Sequence, residues 1–183
     1  MIVAAMSAAL IAILAQFTIP FPMVPNTAQP FAIGLVATIL GKRWGTTATS
    51  IYVLMGAIGL PVFANMSGGI GIIFGNTGGY IWGFIVAPFV IGLYMSKTGD
   101  SIVHAIIANL IGTFIILGMG VTYLSFMMGH PPLAALLPAG LGGFTFLITN
   151  PLQASAAAIL GVRVRKALRS AKLLDEQESK QVA

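Results

Sequence analysis

Charged side chains fall in three places along this chain, with long apolar stretches between them. Lys42 and Arg43 form the first group, Lys97 and Asp100 the second, and everything from Arg163 onward the third. The intervals 1–41, 44–96 and 101–162 hold no Asp, Glu, Lys or Arg. A helix needs about twenty apolar residues to cross a bilayer, so each interval has room for two spans and the pattern predicts six. Proline and glycine clusters place the breaks. The first span covers 2–18 and stops at Pro20 and Pro22. The second covers 30–40, the third 46–60, the fourth 79–95 and the fifth 101–126. The sixth starts between 133 and 143, after the GHPP turn, and ends at 162. Pro151 within TNPLQA offers a restart of that span, because proline is tolerated in a first helical turn.

The longest connection, GLPVFANMSGGIGIIFGNTGGYIWGF (59–84), is uncharged and, after Gly59, carries seven more glycines at 68, 69, 71, 75, 78, 79 and 83. Non-helical backbone at membrane depth is tolerated only where protein covers it or it lines a cavity. Loops of this length are functional or disordered, and Val62, Phe63, Met66, Ile70, Ile72, Ile73 and Phe74 argue against disorder. The expectation is a loop folded over a ligand.

Composition makes this an all-α integral membrane protein: 57% of residues are hydrophobic and 7% charged, against roughly a quarter charged in soluble domains. The basic groups follow the second, fourth and sixth spans, whereas the connections 19–29, 61–78 and 127–142 carry none. The positive-inside rule then puts both termini in the cytoplasm and the Gly-rich loop outside. Residues 1–162 form the expected membrane domain. Residues 163–183 form a cytoplasmic basic tail, with RVRKALRSAKLL as an amphipathic helix and a frayed end beyond it. The net charge of +5 does not indicate nucleic acid, since five of the nine basic residues lie between Arg163 and Lys172 as a juxtamembrane segment. No cleavable signal peptide is visible, and the absence of Cys excludes thiolate chemistry and Cys-bound metals.

Catalytic groupings are missing. His104 lies at the cytoplasmic end of span five, His130 lies in the outer turn, and all four carboxylates are placed inside, so neither metal, cofactor nor enzymatic acid–base pair is expected. GGIGIIFG lacks the third glycine of a dinucleotide fingerprint, and no P-loop is present, so active transport would draw on a partner or an ion gradient. The outer half offers neutral groups instead: Asn26, Thr27, Gln29, Asn65, Ser67, Asn76, Thr77, Tyr80, Asn150 and Gln153. Asn150 and Gln153, three apart, share a helix face. An apolar pocket with a few placed polar groups suits a small organic ligand. On the first span, Ala4, Ala8 and Ala5, Ala9 make smooth faces, equally suited to internal packing and to docking of another protein.

GLPVF (59–63), SGGIGIIFG (67–75), TGGYIWGF (77–84) and PFPMVPNTAQPFA (20–32) together resemble the BioY family, the biotin-specific substrate-binding (S) components of energy-coupling factor (ECF) transporters. The resemblance covers nearly the whole chain. It implies a six-helix S-component fold in a prokaryotic cell membrane, with a vitamin bound near the outer face under the loops after spans one, three and five. It also implies a membrane scaffold (T) protein and two cytoplasmic ATPases as partners, with the scaffold docking on small residues of the first span, here Ala4, Ala5, Ala8 and Ala9. The candidates for ligand contact are Thr27, Gln29, Phe63, Asn65, Asn76, Thr77, Tyr80, Asn150 and Gln153. Three departures stand out. Asn150 and Gln153 occupy positions where the family typically has Asp and Lys, Gly75-Asn76-Thr77 replaces a GPT triplet, and Thr27-Ala28-Gln29 replaces TLQ. The Asp and Lys positions are associated with ligand binding, so biotin is the first expectation and a ligand without a ureido group, such as lipoate, the second. A stand-alone facilitator or secondary carrier is the alternative from another class, and a membrane enzyme the least supported.

Overall fold

In the computed structural model, residues 2–19, 24–129 and 143–171 are described, with side chains from 148 onward in the last segment. The architecture is helical. Helix α1 spans Ile2–Leu14, α2 Gln29–Ala57, α3 Ile70–Ile73, α4 Gly78–Thr98, α5 Ile102–Met128 and α6 Gly143–Ser170. Helices α4 and α5 are each long and apolar enough to cross a membrane. Two short strands, β1 (Thr18–Ile19) and β2 (Asn26–Thr27), pair antiparallel between α1 and α2.

Helix α2 is in fact two helices. Gly41 has φ 73° and ψ −172°, outside helical values, and this left-handed φ is one that residues with a Cβ rarely adopt. The chain doubles back there, since Gln29 at the start of α2 hydrogen-bonds Tyr52 near its end. A straight helix would hold those two about 35 Å apart at 1.5 Å per residue. The two arms close tightly: a Cβ on Gly45 would lie 3.0 Å from the Cα of Ala37. The predicted loop around Lys42 and Arg43 is thus reduced to one residue, and both basic residues start the second arm. Helix α2 packs against α1, α4 and α6, and α5 closes the bundle against α4 and α6. The α4–α5 seam is close because Gly83 presents no side chain, and a Cβ there would sit 2.8 Å from the Ile116 Cα.

Three boundaries differ from expectation. Helix α1 ends at Leu14 rather than at Thr18, because Thr18 and Ile19 exchange helical bonds for pairing with β2. Pro151 lies well inside α6 and restarts nothing. It lacks an N–H, so the carbonyl four residues earlier loses one helical bond while the rest of the ladder continues. The same helix carries past Val162 to Ser170 without a break. Residues 130–142, where the sixth span and the GHPP turn were expected, and 172–183, the end of the basic tail, fall outside the described residues.

On α1, Ala4, Ala8, Ile11 and Ala15 have zero exposure and form one buried face. Ala5 and Ala9 are exposed, alongside Ile2, Met6, Leu10 and Ile13. This corrects the four-alanine docking face. Ala4 and Ala8 are spent on the protein's own core, and only Ala5 and Ala9 face outward.

Candidate functional site

A cavity of about 260 Å³ opens at the end of the bundle where α2 and α4 begin. That is close to the few hundred Å³ small-molecule sites occupy. Its lining comes from five parts of the chain. The segment 24–30 supplies one wall, the Gly-rich connection supplies Phe63, Ala64, Asn65, Ser67, Ile72 and Thr77, α4 supplies Tyr80, Ile81 and Phe84, and Asn150 comes from α6. The fifth part is Thr113, Ile116 and Leu117 of α5. The surface is mostly apolar, with amides and hydroxyls set into it.

The Gly-rich connection is ordered by specific bonds. The side chain of Gln16, just past α1, donates to the carbonyls of Val62 (3.3 Å) and Phe63 (3.2 Å) and accepts from the Met66 N–H (3.0 Å). Phe63 pairs with Ser67 as a bridge. Between them Asn65 and Met66 take φ of 56° and 54°. Asparagine tolerates this left-handed region far better than a bulky residue such as methionine does, so the tight loop costs energy that the Gln16 bonds offset. Phe63 is buried and stacks edge-on against Tyr52, with ring centroids 5.6 Å apart. At the far end of the loop, the Tyr123 hydroxyl donates to the Phe74 carbonyl (3.1 Å).

The polar residues fall into two groups. One group is used internally. Thr27 Oγ1 donates to Gln29 Oε1 (2.8 Å), Gln29 Nε2 donates to the Tyr52 hydroxyl (2.6 Å), and that hydroxyl donates to the Val62 carbonyl (3.1 Å). This relay ties the start of α2 to the capping loop. Asn26 Nδ2 donates to Thr149 Oγ1 (2.7 Å), and Gln153 Nε2 to the Thr27 carbonyl (3.1 Å). The other group is unspent. Tyr80, 6% exposed, and Asn150, 2% exposed, both line the cavity, and neither the Tyr80 hydroxyl nor Asn150 Nδ2 has a hydrogen-bond partner among the described residues. A buried unpaired donor costs about 1–3 kcal/mol, so two facing one cavity point to a ligand that supplies acceptors.

Of the nine expected contact residues, Thr27, Gln29, Phe63, Asn65, Thr77, Tyr80 and Asn150 line the cavity. Asn76 is exposed in the turn before α4 and stands outside it. Gln153 also stands outside, because its amide reaches back to the Thr27 carbonyl. The α5 wall was missed. Its signal lay in NLIGTFIIL, where Asn109 and Thr113 are the polar residues of an apolar run and, four apart, share one helix face.

A family model described as "BioY family" matches residues 1–170. The biotin transporter BioY of Thermotoga maritima is 40% identical over 158 residues, which span 86% of this chain and 90% of that protein. The biotin transporter BioY2 of Lactococcus lactis subsp. cremoris is 35% identical over 164 residues, 90% of this chain and 88% of that one. Among solved structures, the crystal structure of the S-component for biotin from an ECF-type ABC transporter superposes with a TM-score of 0.80 at 26% identity, covering 90% of this chain and 89% of that chain.

Proposed function

This chain belongs to the BioY family, and on that premise we propose that it is the substrate-binding subunit of an ATP-driven ECF transporter and captures biotin in the cavity under the Gly-rich loop. The observation that carries this reading is the Asn150 amide. It is buried against the cavity with its donor unpartnered, and an amide carries an acceptor beside that donor. A cyclic urea presents the complementary edge, an N–H next to a carbonyl, so the neutral amide can pair with a ureido ring without an ionised group. The Tyr80 hydroxyl adds a second donor, and Phe63, Ile81, Phe84 and Ile116 offer apolar contact for a thioether ring and an alkyl chain.

Six spans, with α2 counted as two, cytoplasmic termini and an outward-facing cavity complete the proposal. The basic clusters support this orientation by the positive-inside rule. The absence of a P-loop in the sequence supports placing ATP hydrolysis in partner subunits. Ala5 and Ala9, exposed on α1, are the proposed docking face for a membrane scaffold.

Calorimetric titration of the detergent-purified chain tests the ligand. Saturable one-to-one binding of biotin is expected, with lipoate inert, and binding of lipoate with biotin inert would overturn the assignment. For the docking face, leucine at both Ala5 and Ala9 is expected to abolish co-purification with the scaffold while biotin binding stays intact. Normal co-purification of that variant removes the assignment, and uptake that persists without any ATPase marks a stand-alone carrier instead.

A further inference from the structure

Every lysine and arginine among the described residues lies at the end of the bundle opposite the cavity. On α4 the cavity reaches Phe84, and the next cation is Lys97. On α6 it reaches Asn150, and the next is Arg163. Each separation is thirteen residues, or about 20 Å along a helix. On the α2 hairpin, Lys42 and Arg43 lie at the turn, beyond Gly41. The intervals 44–96 and 101–162 contain no lysine or arginine at all, so no conformation of the loops brings one to the cavity. The cavity lining among the described residues has no lysine, arginine or histidine either.

A carboxylate taken out of water without a counter-charge costs several kcal/mol. The polar groups of the lining are all neutral amides and hydroxyls: Asn26, Thr27, Gln29, Asn65, Ser67, Thr77, Tyr80, Thr113 and Asn150. A carboxylate can accept charge-assisted bonds from neutral donors, but the two buried unpartnered donors, on Tyr80 and Asn150, are taken by the ring, and no counter-charge lines the cavity among the described residues. The carboxylate therefore gains nothing by being buried.

We propose that this site reads the ring of its ligand and not the charge of the tail, so that it binds neutral carboxyl derivatives (esters and amides of the acid, including amide conjugates to an amine) about as well as the free acid. The proposal rests on the ligand reading above and extends it to a further class of ligand.

The test is calorimetric titration of the purified full-length chain with biotin, biotin methyl ester and biotin primary amide at pH 8. At that pH an ordinary imidazole, with its pKa near 6.5, is neutral. The three dissociation constants are expected to agree within about threefold, whereas one lost hydrogen bond to a charged group would separate them by at least about tenfold. Tenfold or greater preference for the acid over both derivatives overturns the proposal and leaves the biotin reading standing. Failure of all three to bind removes both.

Discussion

The two ends of this bundle solve the same problem, a polar group in an apolar setting, in opposite ways. At the charged end, Asp100 between α4 and α5 receives Arg165 Nε (3.3 Å) and Arg169 Nη1, both from the last turns of α6. Arg165 Nη1 also donates to the Thr38 carbonyl (3.0 Å), close to the turn of the α2 hairpin. Three segments are tied through one carboxylate. Among the described residues, the cavity lining carries no charged side chain, and the donors of Tyr80 and Asn150 have no partner. Unpartnered polar atoms also occur on Trp44, His104, Asn109 and Gln153, yet none of these lines the cavity. The difference teaches where each end's free energy is realised. At the charged end the ionised groups are paired on folding, and at the cavity end two donors that line the cavity are left without a partner among the described residues, available to the proposed ligand.

Substituting Asp100→Ala breaks the comparison at its stronger side. The side chains of Asp100 and Arg165 are 17% and 12% exposed, and that of Arg169 38%. Removing the carboxylate takes the Asp100 counter-charge from one nearly buried guanidinium and one more exposed one, while Arg165 keeps its bond to the Thr38 carbonyl. The expected loss of stability is about 2–3 kcal/mol, somewhat below the 3–5 kcal/mol of a fully buried pair. Thermal unfolding in detergent measures it, and ligand affinity should stay within about twofold because the cavity lies about 20 Å away along the helices. A matching loss of affinity would mean that the two ends are not independent.

Much of this division was visible in the sequence, because charge spacing and proline–glycine clusters act over a few residues and need no tertiary knowledge. The gap between Arg43 and Lys97 announced two apolar segments and a glycine-rich connection. The polar residues near one end were visible too. Their assignments were not. Gln29 and Asn150 are both buried amides at the cavity, but Gln29 is consumed by Thr27 and Tyr52 while Asn150 is not. The reversal between the second and third spans was expected, but that distinction depends on which side chains the two arms bring together, with Tyr52 2.6 Å from Gln29, and span boundaries do not give that register. Helix α1 shows the same limit in another form. Successive residues on a helix point about 100° apart, so Ala4 and Ala5 cannot share a face. The buried set 4, 8, 11 and 15 becomes recognisable once α2 is known to pack there.

A smaller effect sharpens the comparison from the cavity side. Substituting Asn150→Ala removes an amide whose donor is buried and unpaired before ligand binds. Losing an unsatisfied group of this kind relieves a desolvation cost of about 1–3 kcal/mol, and alanine is the better helix former by a few tenths of a kcal/mol. Against this stands the small void left in the cavity wall. The unliganded protein is therefore expected to unfold at the same temperature as the parent or slightly higher. Ligand affinity should fall, because the ring loses its paired donor and acceptor, by about 1–2 kcal/mol or roughly five- to thirtyfold. Stability and affinity thus move independently, the reverse of the pattern expected for Asp100→Ala. Unfolding of the free variant and titration of the same preparation give both numbers. If Asn150→Ala instead destabilises the free protein as strongly as Asp100→Ala does, the amide is holding α6 in place, and the cavity end was never keeping its donors in reserve.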